Sequence, residues 1–367
     1  MKKWWISLLL LTFVSAALGC AEELGSYTYM DAENYIRSSY LTGTGRLSDD
    51  RYWYAGTTRE KEPWLLISDS TGNVIDQRIV PVARKGQVIE GVNVSDEGIL
   101  IGLVDIGTQE GTVMHVDREG KTWYTELGHS NVFGYTPTDD GGLIAQCVWY
   151  NEDETLCALQ IMSIDAEGAI RYDIMEEPVE IAVDRGALTQ SCLREEGGRV
   201  YALLVEGIPA HSGTREELIC YDENGKEVWR AAIPDSENLG IEDVMVDGED
   251  IYLIGYTGEW VSEYVLGNRK ALVLCYSQDG TPKWAYTASD VQEFRYGDAG
   301  NGLCVAGEML DDRWTFLVLS DCGLEIFRGD MEAERCYMQK IFVTEDRRIL
   351  VLGATDEKLT IRELTYE

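Results

Sequence analysis

A short phrase recurs six times along this chain of 367 residues. A run of apolar residues leads into a turn built on Asp or Ser and closed by Gly. The turns fall at 69–72, 117–120, 165–168, 222–225, 279–280 and 321–323, so their glycines are 48, 48, 57, 55 and 43 residues apart. Self-similarity at this period points to one array of stacked units rather than several separate domains.

Each phrase reads as a hairpin. Glu217-Leu-Ile-Cys-Tyr-Asp222 precedes Glu-Asn-Gly225 and then Lys226-Glu-Val-Trp229, and Leu272-Val-Leu-Cys-Tyr276 precedes Ser-Gln-Asp-Gly280 and then Thr281-Pro-Lys-Trp284. Short apolar runs bounded by turn residues are buried strands. The Asp or Ser side chain bonds nearby backbone N–H groups, and Gly supplies the positive φ that closes the bend. A second strand pair around a polar, Gly-bearing turn follows each phrase, at 92–102, 135–145, 192–202, 244–255, 294–307 and 342–353. Two hairpins per unit give a four-stranded antiparallel blade, and blades at this period build a β-propeller.

The chain ends set the expected count. The second hairpin also occurs at 36–47 and 51–56, with a strand at 26–30 ahead of it, while Leu359-Thr-Ile-Arg-Glu-Leu364 matches the apolar phrase without its turn. The expectation is therefore an all-β, seven-bladed propeller. Its C-terminal strand completes the blade begun by the three N-terminal ones, which removes exposed sheet edges. A six-bladed or open arrangement is the alternative.

Residues 1–21 stand apart. Lys2 and Lys3 precede the apolar run 4–18, then Gly19, Cys20 and Ala21, the layout of an export signal. The expected division is a signal peptide over 1–21 and a single propeller over 22–367, in an exported protein of the bacterial cell surface or exterior. Two cuts fit: an ordinary one after Ala21, or a lipoprotein cut before Cys20, which would then carry the lipid. The mature chain is expected to have no membrane span.

The formal charge of −34 repels nucleic acid and anionic membrane, which excludes both as main partners. Of the nine cysteines, Cys147, Cys192, Cys220, Cys275 and Cys304 fall in predicted strands, where cysteine acts as a small buried hydrophobe. Cys157, Cys322 and Cys336 are more loosely placed. With no Cys-x-x-Cys and only three histidines, no metal site is expected. There is no Gly-x-Ser-x-Gly elbow, no phosphate loop and no dinucleotide fingerprint. The 65 acidic residues offer no pair that spacing singles out.

The stretches Asp222-Glu-Asn-Gly225-Lys-Glu-Val-Trp229 and Ser277-Gln-Asp-Gly280-Thr-Pro-Lys-Trp284 resemble the repeats of quinoprotein-like (PQQ-like) propellers, and 117–123 resembles a shortened copy. The resemblance covers most of 60–355. It implies that the Trp packs between blades. The copies at Asp69, Asp165 and Asp321 carry Ile75, Ile170 and Ile326 near the Trp place. The adjacent cysteines of PQQ dehydrogenases are missing, so no cofactor is expected. A looser resemblance, to an outer-membrane assembly lipoprotein of this fold, implies protein binding.

In such a ring the tight turns share one face. The other face carries the variable connections at 80–91, 125–131, 174–186, 207–216, 257–270 and 328–337. Function belongs disproportionately on such loops, which makes Arg84, His129, Arg185, Trp260, Tyr264 and Arg269 the candidate ligand-binding residues. The expected function is a non-catalytic scaffold that binds an envelope protein or glycan. The alternative is a glycan hydrolase or lyase using carboxylates in the central funnel.

Overall fold

The computed structural model of the chain describes residues 28–30, 41–47, 51–57, 62–81, 86–94, 98–105, 107–117, 119–153, 155–180, 193–206, 215–262, 265–309, 313–332, 337–354 and 359–366. Apart from one 3-10 turn at Ser236–Asn238 they form strands, loops and turns, with no α-helix among the described residues.

Strand β1 (Thr28–Met30) opens the chain. β2 (Leu41–Arg46), β3 (Tyr52–Thr57), β4 (Pro63–Ser68) and β5 (Val74–Ile79) form one antiparallel sheet in chain order. Next come β6 (Gln87–Val94), β7 (Gly98–Asp105), β8 (Glu110–Asp117), β9 (Thr122–Pro137), β10 (Leu143–Tyr150), β11 (Leu156–Ile164) and β12 (Ile170–Met175), all in one larger sheet, with β13 (Val179–Glu180) beside β11. Four-stranded sheets then follow: β14 (Leu193–Glu196) to β17 (Glu227–Ala232) by way of β15 (Arg199–Glu206) and β16 (Arg215–Tyr221). The next is β18 (Leu239–Asp247), β19 (Asp250–Ser262), β20 (Val265–Ser277) and β21 (Pro282–Ala288). After it come β22 (Val291–Asp298), β23 (Leu303–Met309), β24 (Arg313–Leu319) and β25 (Glu325–Glu332). β26 (Tyr337–Val343), β27 (Arg348–Ala354) and β28 (Leu359–Thr365) close the chain, with β1 paired to β28.

Two corrections follow. Seven separate sheets are not what forms: five four-stranded sheets stand apart, and the strands from β6 to β12 make one. The cause is β9, whose 16 residues pair with β8 in their first half and with β10 in their second. The sheet that joins the chain ends is also composed differently. It takes three strands from the C-terminus and β1 from the N-terminus, because β2 and β3 pair with β4 and β5 instead.

The first strands of successive sheets touch in cyclic order: β2 on β6, β6 on β9, β9 on β14, then β18, β22 and β26, which returns to β2. Apolar side chains fill the seams between sheets. Leu218 and Cys220 join Ile241, Leu253 and Tyr276 on one side, while Ile219 and Tyr221 join Ile144, Leu159 and Ile161 on the other. This is why the phrases are continuous apolar runs: their strands are buried on both faces. The outer strands β5, β12 and β17 alternate exposed and half-buried instead.

The recurring turn is a latch as well as a bend. Asp222 Oδ1 accepts from the backbone N–H of Asn224 (3.0 Å) and Lys226 (2.9 Å), and Asp165, Asp117 and Asp69 serve their turns in the same way. The Trp that follows then reaches the next turn along. Trp229 Nε1 donates to Gln278 O at 2.7 Å, Trp284 Nε1 to Asp321 O at 2.8 Å and Trp123 Nε1 to Glu167 O at 3.1 Å. The rings lie over the turn glycines so closely that a Cβ on Gly280 would sit 2.8 Å from Trp229, and one on Gly323 2.7 Å from Trp284.

Ile75, Ile170 and Ile326 do not occupy the Trp place. Cys220 pairs with Trp229, and the equivalent pairings are Ile67 with Asp76, Ser163 with Tyr172 and Val318 with Phe327. A β-bulge after five of the six turns leaves one residue out of the pairing: Ile75, Arg171, Val228, Lys283 or Ile326. The copy at 117–123 is one residue shorter because it has no such bulge, and Trp123 still lands opposite His115.

Candidate functional site

The Asp turns and the β6–β7 type hairpins share one end of the sheets, so each innermost strand starts at the opposite end, among the long connections. Near those starts a second family of bulges appears. The residues left out of the pairing are Thr42 in β2, Glu90 in β6, Phe133 in β9, Glu242 in β18, Gln292 and Arg295 in β22, and Gln339 in β26. Bulges re-aim side chains and recur beside functional sites. Here Glu90, Glu242, Gln292, Arg295 and Gln339 interrupt largely apolar inner strands with polar residues.

Several of these groups are tied to their neighbours. Lys340 Nζ donates to Asp243 Oδ2 at 3.2 Å. Their strands, β26 and β18, are separated by β22, so the ion pair passes in front of β22, on the side that faces the ring axis. Glu293, 5% exposed, holds Arg295 through a short contact to Nε and Arg269 Nη1 at 3.2 Å. Arg269 also lies over the ring of Tyr256, 4.3 Å from its centroid. Burial works to lower the guanidinium pKa of Arg295, but the hydrogen bond and charge of Glu293, with Tyr296 and Glu242, outweigh it and raise it. Among the described residues Glu90 has no such cation, and burial pushes its carboxyl up to about 7.

The most prominent departure from the repeat is the β19–β20 pair. Both strands run for 13 residues, and their pairing continues beyond Thr257↔Lys270 to Glu259↔Gly267, Trp260↔Leu266 and Ser262↔Val265. The sequence suggested a loop over 257–270, and a hairpin forms there instead. At its base lies a cleft of about 680 Å³ lined by Glu259, Gly267, Asn268, Arg269, Lys270, Ser289 and Gln292. Asn268 adopts a left-handed conformation (φ 51°) and donates from Nδ2 to Glu259 at 3.4 Å.

Of the candidate ligand-binding residues, Arg269 lines this cleft and Trp260 lies in the backbone of the hairpin above it. His129 is placed in β9 rather than in a loop. Arg84, Arg185 and Tyr264 lie outside the described residues, as do Cys20, Cys192 and Cys336. Cys147, Cys157, Cys220, Cys275 and Cys304 are buried. The inner-strand bulge residues escaped the sequence reading. Their signal was a polar residue inside an apolar strand, as in Ile89-Glu90-Gly91-Val92 and Ile241-Glu242-Asp243-Val244.

A second groove, of about 800 Å³, runs along the β18–β21 sheet and the 234–239 connection; it meets the base of the same hairpin at Thr257, Gly258 and Glu259, and Leu239, Leu272, Leu274, Tyr276 and Trp284 are among its walls. Among the described residues no group of three or more His, Cys, Asp or Glu is arranged to hold a metal ion, and no helix is long and apolar enough to cross a membrane.

No protein-family model matches the chain, and no curated protein does. Solved structures do. A streptogramin B lyase structure is 14% identical with a TM-score of 0.57, over 94% of this chain and 98% of that one. The polysaccharide lyase Uly1 is 12% identical with a TM-score of 0.55, over 92% and 93%. Drosophila Plexin A, solved in complex with Semaphorin 1b, is 9% identical with a TM-score of 0.58, over 94% and 88%. These likenesses show the fold, an all-β propeller of four-stranded antiparallel blades.

Proposed function

We propose that this chain is an exported propeller that binds a protein or glycan of the cell envelope on its loop-rich face, beside the β19–β20 hairpin. The observation that carries this reading is the hairpin itself, which prolongs one strand pair past the shared repeat and leaves a polar cleft at its base. In this reading the larger sheet counts as two blades divided within β9, which makes a ring of seven. Residues 1–21 direct export, with Cys20 as the lipid acceptor if the cut falls before it. A glycan array and a pull-down from envelope extract, run with the intact chain and with a variant whose residues 259–267 are replaced by a two-residue turn, test the reading. Binding is expected for the intact chain and lost in the variant. Equal binding by both would place the site elsewhere.

A second reading rests on Glu90. A half-buried carboxyl poised near neutrality in a funnel suits a general acid or base, and the fold neighbours include two lyases. Turnover of a glycan that Glu90→Gln abolishes while binding persists would favour it, whereas turnover untouched by that change would remove it.

A further inference from the structure

The cleft at the base of the β19–β20 hairpin offers two kinds of polar group at once. Arg269 and Lys270 supply cations in a chain of formal charge −34, and Lys270 makes no ion pair among the described residues. Arg269 is not a loose surface charge. The buried Glu293 fixes one terminal nitrogen and Tyr256 carries its plane, so the rest of the guanidinium is presented with little freedom left to lose. Glu259 adds an acceptor, and Asn268, Ser289 and Gln292 add amide and hydroxyl groups. Among the described residues, no apolar side chain lines the cleft. A short acidic peptide confined to the cleft would find charge there but, among the described residues, no apolar pocket for an anchor side chain. An inorganic anion would leave Glu259 facing it.

A sugar acid satisfies both sets. Its carboxylate accepts from Arg269 and Lys270, and its hydroxyls donate to Glu259 and exchange hydrogen bonds with Asn268, Ser289 and Gln292. Resting on the binding function proposed above, we infer that the cleft takes a uronate residue of an acidic glycan, with Arg269 and Lys270 as the carboxylate clamp and Glu293 as the residue that positions Arg269.

Calorimetric titration of the full chain with tetragalacturonate, its methyl ester and a tetraglutamate peptide tests this. The acid is expected to bind at least about tenfold more tightly than the ester, and the peptide weakly or not at all. Lys270→Gln and Arg269→Lys are expected to weaken binding of the acid by about three- to tenfold each. Both changes leave Glu293 with a cation beside it, so folding is preserved, and a thermal melt confirms it. Equal binding of ester and acid would overturn the clamp while leaving a glycan-binding protein. Peptide binding as tight as that of the acid would overturn the sugar. If no sugar binds but the pull-down finds a protein, the inference alone fails. If array, pull-down and titration are all blank, the binding function fails with it.

Discussion

The smallest unit that explains this molecule is the contact between one aromatic ring and the next glycine. Trp229 over Gly280 combines a hydrogen bond of 2.7 Å with close apolar packing, and Gly280 holds φ at +81°. Trp229→Ala should cost about 2 kcal/mol, less than for a fully buried Trp because the ring is only half covered. Gly280→Ala should cost about 1–3 kcal/mol from its backbone alone, plus the clash with the ring. In the double mutant the clash is gone, so the two costs should fall short of additive by about 0.5 kcal/mol or more. Urea unfolding of all four proteins measures this, and strict additivity would mean that ring and glycine are not coupled. Gly120→Ala is the control, since no atom lies within 4 Å of where its Cβ would be.

Glu216 makes the second residue-scale prediction. It is 0% exposed in the seam between the β14–β17 and β18–β21 sheets, and neither carboxyl oxygen has a hydrogen-bond partner among the described residues. Burial pushes it up to about 8. The folded chain therefore keeps this proton to about pH 8, while the unfolded chain releases it near 4.5. Between those values the folded state binds more protons, so its stability falls as pH rises, by up to about 1.4 kcal/mol per pH unit. Glu216→Gln should flatten that slope between pH 5 and 8 and be more stable than the parent at pH 8. Denaturant melts at four pH values decide it, and parallel slopes would mean that Glu216 is solvated or paired after all.

At the scale of the strand, what was legible in the sequence was what local chemistry decides. The Asp and Gly of each turn and the apolar run before it specify a bend and a buried strand without reference to the rest of the chain. Counting failed where pairing decides. Ile75 and Ile326 follow their glycines at the distance expected near a Trp, yet the bulge excludes them from the ladder and Asp76 and Phe327 take the paired positions. Both isoleucines are 53% exposed, a cost that the apolar pattern alone does not announce. The candidate site was less legible for the same reason. Glu90, Glu242 and Arg295 belong together only because β6, β18 and β22 each bulge, and the partner strand that defines a bulge lies elsewhere in the sequence. Arg269 was singled out in the sequence only because it sits where the repeat visibly breaks. Its partner Glu293 lies 24 residues on, in the next sheet.

At the scale of the whole ring, two kinds of closure have to be kept apart. β26 packs on β2, so the inner ring is complete without help from β1. β1 does something different: it pairs Thr28, Tyr29 and Met30 with Ile361, Thr360 and Leu359, covering the free edge of β28. An uncovered edge next to buried apolar residues such as Ile361 and Leu364 is a template for pairing between molecules. Three ladder residues at an edge contribute about 1–2 kcal/mol at the usual net worth of a hydrogen bond. A chain shortened to begin at residue 31 should therefore keep its far-ultraviolet circular dichroism and lose only about that much stability in urea. It should also self-associate on warming, which size-exclusion chromatography and light scattering would detect. Global unfolding of the shortened chain would make β1 the element that closes the ring. A monomer as well behaved as the parent would mean that β28 needs no cover.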